Sequence, residues 1–152
     1  TAWVQAVWVA VPAVIVLSMI GNSWTVYRKL IEPLPGALRI KVTAKQFFWS
    51  FEYPDSGAKS TGLAAVPAGR PLHFEIDSQD VIHSFFVPHL KMKRDAIPGL
   101  TTHLWVRPID RPGILPVLCN QLCGTEHALM NAELAVMDPV EFECWLKLQR
   151  VP

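Results

Sequence analysis

Charge is what this sequence has least of. Only 18% of its 152 residues are Asp, Glu, Lys or Arg, against a norm of about 25%, and none of them falls within residues 1–27. The formal net charge of +1 provides no basic stripe to neutralise phosphates, which excludes a nucleic-acid binder. Cysteine is scarce as well, and three residues, an odd number, cannot build a disulfide scaffold. Apolar residues are abundant instead, at 51%, so the chain can bury enough surface to offset its ordering entropy and is not disordered. Thirteen prolines exclude an all-helical bundle, since each removes a backbone donor and breaks a helix interior. The length suits one ordinary domain, or a smaller domain with an appendage.

The uncharged stretch is the appendage. It begins with WVQAVWVAVPAVIVL from residue 3 and continues apolar to residue 27, long enough to cross a bilayer with some tilt. Trp3 and Trp8 at one end, and Trp24 and Tyr27 at the other, suit the two interfacial aromatic belts. Pro12 and Gly21 are tolerable kink points in such a helix. A signal peptide would begin with a base and have a shorter apolar core; residues 1–5 contain no base. The reading is a transmembrane anchor over residues 1–30, a linker over 31–37 and a globular domain over 38–152. Arg28, Lys29, Arg39 and Lys41 follow the anchor, and by the positive-inside rule alone they would keep the domain inside.

The globular part reads as strands. Over residues 38–53 the pattern alternates, with Phe47, Trp49, Phe51 and Tyr53 on one face and Phe48, Ser50 and Glu52 on the other. Pro54-Asp55-Ser56-Gly57, Pro67-Ala68-Gly69 and Arg111-Pro112-Gly113 are turn signals. Residues 70–78 alternate again, placing Leu72, Phe74 and Ile76 inward, and residues 101–107 and 131–137 are further short strands. Short strands with regular turns predict an antiparallel sandwich or barrel. After them Asp138-Pro139-Val140-Glu141 reads as an N-cap, a first-turn proline and a Glu at the third position. It opens a short helix over residues 139–149, with Phe142, Trp145, Leu146 and Gln149 on one stripe and Cys144 expected as a buried structural thiol.

One loop carries chemistry. Cys119, Cys123, His127 and Met130 lie in CNQLCGTEHALM, and thiolates, an imidazole and a thioether are the soft donors that copper favours. A Cys119–Cys123 disulfide would leave His127 and Met130 without a role. A structural zinc site is the stronger competitor, although its histidines normally come as a second close pair. A second histidine must come from outside the loop. His83, His73, His89 and His103 are the available residues, and nothing in their local sequence separates them.

The order of these motifs resembles subunit II of cytochrome c oxidase, the CuA subunit of heme-copper oxidases. The likeness rests on the apolar anchor with Pro12, Gln46-Phe47-Phe48-Trp49-Ser50-Phe51-Glu52-Tyr53, Val66-Pro67-Ala68-Gly69 and Asp80-Val81-Ile82-His83-Ser84-Phe85. It continues through Lys93-Arg94-Asp95-Ala96-Ile97-Pro98-Gly99, Arg111-Pro112-Gly113 and the loop from Cys119 to Met130. The resemblance implies a mainly β fold, a cupredoxin-like Greek-key β-sandwich with one N-terminal transmembrane helix and a short C-terminal helix. It also implies a dinuclear copper centre, CuA. Cys119 and Cys123 would bridge two copper ions, His83 and His127 would each supply one nitrogen, Met130 the axial thioether and Gln121 an axial backbone carbonyl. Phe85, Phe86, Leu118 and Leu122 would form its apolar shell.

The function so implied is that of an electron-transfer subunit of a membrane-bound terminal oxidase. It would accept electrons from cytochrome c or another external donor and pass them to heme in subunit I, where O2 is reduced to water and protons are translocated. Heme and the CuB copper are expected only in that partner, and no residue here is assigned a catalytic role. The family's topology places the domain on the outer, periplasmic face of a bacterial plasma membrane, against the positive-inside signal. Phe47 and Trp49 are the expected points at which electrons enter, and the loop over residues 91–99, with Lys93 and Asp95, the expected contact with subunit I. Alternatives are the same subunit in a nitric oxide reductase, a membrane-anchored copper-binding or copper-delivery protein, and a zinc-stabilised anchor protein. The sequence departs from the usual pattern at Gln121, where many members have a Glu that reaches magnesium, at Phe47 for the usual Trp, and at Gln5 for a carboxylate. Gln121, Phe47 and the single anchor resemble the B-type oxidases more than the mitochondrial type, and no magnesium is expected through Gln121.

Overall fold

The computed structural model describes residues 1–149, which fall into two compact units, Thr1–Pro33 and a second beginning at Leu34. The first unit is one helix, α1 (Ala2–Ile31), in which no residue is buried. It is long and apolar enough to cross a membrane. Three of its polar side chains turn back on their own helix: Ser18 Oγ donates to the Ile15 carbonyl at 2.8 Å, Asn22 Nδ2 to the Ser18 carbonyl at 2.9 Å and Thr25 Oγ1 to the Asn22 carbonyl at 2.7 Å. Such internal pairing removes the polar groups that hydrocarbon would penalise.

The second unit is a two-sheet sandwich with the strand character and the closing helix that the sequence predicts. Its strands are β1 (Leu38–Lys45), β2 (Phe48–Tyr53), β3 (Ala58–Thr61), β4 (Leu63–Pro67), β5 (Leu72–Ser78), β6 (His83–Val87), β7 (Met92–Ala96), β8 (Thr102–Val106), β9 (Gly113–Cys119) and β10 (Asn131–Met137). One sheet has the order β3-β2-β1-β5-β8 and the other β4-β10-β9-β6-β7. Most pairs are antiparallel, but β1 with β5 and β4 with β10 are parallel, a consequence of strands that cross between sheets.

Alternation sets the faces. In β1 Leu38, Ile40, Val42 and Ala44 are buried, in β2 Trp49, Phe51 and Tyr53, and in β5 Leu72, Phe74 and Ile76. Each fully buried large apolar side chain contributes about 1.5–3 kcal/mol. Phe85 of the second sheet meets Trp49 and Phe74 of the first, with ring centroids 5.4 Å apart in both pairs. Tyr53 ties β2 of the first sheet to β4 of the second: its hydroxyl donates to the Ala65 carbonyl and accepts from the Ala65 amide, both at 2.8 Å.

Several expectations change. Residues 38–53 do not form one strand; β1 and β2 turn back on each other at Gln46-Phe47, so Phe47 sits half-buried in the turn. Residues 91–99 are not a loop, since Met92–Ala96 is edge strand β7, paired with β6. Its Met-Lys-Arg-Asp run carries charge in place of alternation, as strands at a sheet edge commonly do. The closing helix, α2 (Pro139–Leu148), begins as expected, with the Asp138 carboxylate accepting from the Val140 amide at 2.8 Å. Phe142 and Leu146 are buried, while Cys144 is exposed rather than buried. Two residues on from Phe142, at 100° per residue, it lies on the opposite side of the helix.

Candidate metal centre

The loop between β9 and β10 leaves one sheet strand and returns to its neighbour, so both of its ends are anchored by the ladder. Cys119 is the last residue of β9 and Met130 immediately precedes β10; the Cys119 amide donates to the Met130 carbonyl at 3.1 Å. Alongside, β6 begins at His83 and pairs with β9, and the Asn120 amide donates to the Ser84 carbonyl at 2.9 Å. Three adjacent strands therefore present the residues that 36 positions of sequence hold apart.

Their donor atoms converge. The Cys119 and Cys123 sulfurs are 3.8 Å apart, and both cysteines are free and buried. Cys119 Sγ lies 3.9 Å from His83 Nδ1 and 3.3 Å from the Gln121 carbonyl oxygen. Cys123 Sγ lies 3.5 Å from His127 Nδ1 and 3.8 Å from Met130 Sδ. His83, Cys119 and Cys123 form a cluster able to hold a metal ion. The sulfur separation is less than twice a metal–thiolate bond of about 2.3 Å, so one ion can touch both thiolates.

Orientation comes from a shell of hydrogen bonds. His83 is completely buried and its Nε2 is 2.8 Å from Asp80 Oδ1. With Nε2–H donated to that carboxylate, the Nδ1 lone pair faces the sulfurs, the arrangement that fixes tautomer and ring angle in metal sites. Asp80 also accepts from the Gln46 and Val81 amides, each at 2.7 Å. Burial works to raise the Asp80 carboxyl, but these donors and His83 outweigh it and hold it down at about 2. The Gln46 side chain in turn donates to the Cys123 carbonyl, joining the β1–β2 turn to the loop. Burial, the neighbouring Cys119 sulfur and the Asp80 charge push the Cys123 thiol up to about 11. Metal binding here must therefore displace a proton.

Trp49 is fully buried and edge-on to His83 with centroids 6.1 Å apart. Phe47 packs on the loop, its ring about the Gly124 backbone. The expected apolar shell is only half present. Phe85 is buried and Phe86 half-buried, but Leu118 is 39% and Leu122 77% exposed, because alternation along β9 turns Leu118 away from its buried neighbours Val117 and Cys119. Lys93 and Asp95 lie on β7, away from the donors, with Lys93 Nζ 3.7 Å from Asp95 and Asp95 accepting from Ser84 Oγ at 2.7 Å. Asp80 and Gln46 are the site residues that spacing alone does not reveal: Asp80 reaches His83 three residues on, and Gln46 reaches Asp80 and Cys123 from 34 and 77 positions away.

A β-sandwich that gathers two cysteines, two histidines and a methionine at one end belongs to the cupredoxin-like class of domains. Residues 61–137 match the family described as cytochrome C oxidase subunit II, periplasmic domain. The chain belongs to the cytochrome c oxidase subunit II family, which implies copper binding. Cytochrome c oxidase subunit 2 of Alkalihalophilus pseudofirmus is 41% identical over 108 residues, covering 71% of this chain and 31% of that protein. Heme-copper oxidase subunit 2 of Aeropyrum pernix is 38% identical over 121 residues, covering 78% and 52%. The crystal structure of the periplasmic domain of subunit II of cytochrome oxidase from Bradyrhizobium japonicum has a TM-score of 0.73 at 28% identity, over 77% of this chain and 96% of that one. The chain spans from about a third to about half the length of these two curated relatives.

Proposed function

We propose that this chain is the electron-transfer subunit of a membrane-bound heme-copper oxidase, with a dinuclear copper centre held by His83, Cys119, Gln121, Cys123, His127 and Met130. The observation that supports this most is the convergence of three sulfurs and two imidazole nitrogens, in steps of 3.5–3.9 Å, within a subunit II domain. Soft thiolates and a thioether with imidazoles match copper's preferences better than those of a hard cation. When bound there, copper would supply one-electron redox chemistry.

The protein's own part is to hold that geometry. Asp80 keeps the His83 ring turned with Nδ1 toward the sulfurs, and Gln46 pins the Cys123 peptide from across the sandwich. The ladder of β6, β9 and β10 resists any change in donor spacing, as a rigid scaffold must for a preorganised site. Trp49 excludes water from the buried side of His83. Phe47, half-buried against the loop, and Trp49 are read as the route by which electrons enter from cytochrome c or another donor. Lys93 and Asp95 on β7 are read as part of the surface facing heme-bearing subunit I, which would hold the heme and CuB and carry out oxygen reduction with proton translocation. In this reading residues 1–30 anchor the chain in a bacterial plasma membrane and residues 38–152 form the copper domain on its periplasmic face.

The test is metal analysis with low-temperature EPR on the aerobically purified full chain in detergent. The expected result is two coppers per chain sharing one unpaired electron. Zinc without that signal, or a single ordinary copper, would overturn the reading.

A further inference from the structure

A second group of metal-binding side chains lies in the other sheet. In β5 the inward residues are Leu72, Phe74 and Ile76, which leaves His73 and Glu75 together on the outward face. The antiparallel neighbour β8 sets His103 opposite Glu75 and Trp105 opposite His73. Four side chains thus form a two-by-two patch on one sheet surface. His73 Nε2 is 3.0 Å from His103 Nδ1, and His73 Nδ1 is 4.0 Å from Glu75 Oε1. One donor atom from each of the three residues falls within 4.8 Å of the others.

The patch is more ordered than an exposed sheet face requires. The Trp105 indole stacks on the His73 ring at a centroid distance of 3.7 Å and an interplanar angle of 6°. That contact holds the imidazole in one orientation, and the His73 side chain is only 12% exposed. The neighbouring bases are engaged elsewhere: Arg39 with Asp55 at 3.5 Å and Lys41 with Asp77 at 3.6 Å. Among the described residues Glu75 pairs with no Lys or Arg, and His73 Nδ1 lies 4.0 Å from it, so the carboxylate is left to the two imidazoles.

We propose that His73, Glu75 and His103 form a second metal site, a surface site for a zinc-class divalent cation, separate from the copper loop. Two imidazole nitrogens and one carboxylate oxygen are a borderline set suited to Zn2+, and Cu2+ would compete for it. Hard cations are disfavoured, since Mg2+ and Ca2+ seek all-oxygen shells. Around zinc at bonds of about 2.0–2.2 Å, tetrahedral donors lie about 3.3–3.6 Å apart, close to the 3.0 Å already separating the two nitrogens. Three protein ligands leave the fourth position to water or to a group from another molecule. The site is independent of the loop because β5 and β8 belong to one sheet while β6, β9 and β10 belong to the other.

The experiment is equilibrium dialysis of the full chain, purified in detergent with its own copper and no added copper salt, against Zn2+ alone, with metal analysis of wild type and variants. Wild type should hold one more zinc per chain than His103→Ala. His103 is exposed, so this variant removes a ligand without opening the core. His73→Ala should lose the same zinc, Glu75→Gln should bind it at least about tenfold more weakly, and the control His89→Ala should retain it. The copper EPR signal should be the same in all of them. Equal zinc in wild type and His103→Ala would overturn the proposal and leave a stacked imidazole pair with no metal role. Because the count is a difference between two proteins, a failure of copper loading would refute the loop assignment without obscuring this result.

Discussion

Tyr53 shows how one side chain closes the sandwich. Its ring is buried among Phe142 and Trp145 of α2, and its hydroxyl satisfies both the amide and the carbonyl of Ala65. Tyr53→Phe leaves those two buried backbone groups unpartnered and should cost about 1–3 kcal/mol in urea denaturation. Burial raises the Tyr53 hydroxyl above its ordinary value, with the Ala65 hydrogen bond opposing only in part. Above about pH 10 the unfolded chain releases this proton and the folded chain keeps it, so the unfolded state binds fewer protons and stability falls as pH rises. Wild type should therefore lose more stability than Tyr53→Phe between about pH 9 and pH 11. The cysteines separate as sharply. Cys119→Ala should abolish the copper signal, whereas Cys144→Ala should leave it unchanged; Cys144, exposed on α2, should be the thiol that a water-soluble alkylating reagent labels in the copper-loaded protein.

The element on which the centre depends most is the β9–β10 loop, and the β1–β2 turn is what holds it down. Gly124 sits at φ +142°, and a Cβ there would lie 2.8 Å from Gln46 Nε2 and 2.9 Å from Phe47 Cζ. A side chain is excluded both by its own backbone and by the turn packed on it. Gly124→Ala should cost about 1–3 kcal/mol and lower copper stoichiometry, measured by thermal unfolding and metal analysis together. If Gly124→Ala loads copper fully, the turn does not position the loop. The edge strand β7 illustrates the other extreme. It has no alternating pattern of its own and exists because β6 pairs with it from His83↔Ala96 to Val87↔Met92.

For the whole molecule, a helix with no charge before Arg28 and a sandwich with charged outward faces demand different solvents. Every residue of α1 is exposed within its own unit, including Trp3, Trp8, Leu17, Ile20 and Trp24. Apolar surface of that extent is stable only in lipid or against a partner. The full chain should stay with the membrane through a high-salt wash and be released by detergent, while a chain lacking residues 1–33 should appear in the soluble fraction. Release of the full chain by salt alone would remove the anchor from the argument.

What residue order determined by itself is whatever depends on local periodicity or covalent spacing. The apolar run of α1, the inward faces of β1, β2 and β5, the Asp138 cap and the soft-donor loop all follow from neighbours in the chain. His83 came only from the likeness of its motif to a family, because nothing near it in sequence distinguishes it from His73 or His103. Tertiary structure decided the rest. It put His83 Nδ1 beside Cys119 by pairing β6 with β9, aimed that ring through Asp80, turned Leu118 and Leu122 outward and made a strand of residues 92–96. It also brought His73, Glu75 and His103 together by pairing β5 with β8. The His83–Cys119 contact joins positions 36 residues apart and His73–His103 positions 30 apart, and strand register, which a local pattern does not encode, is what selects them.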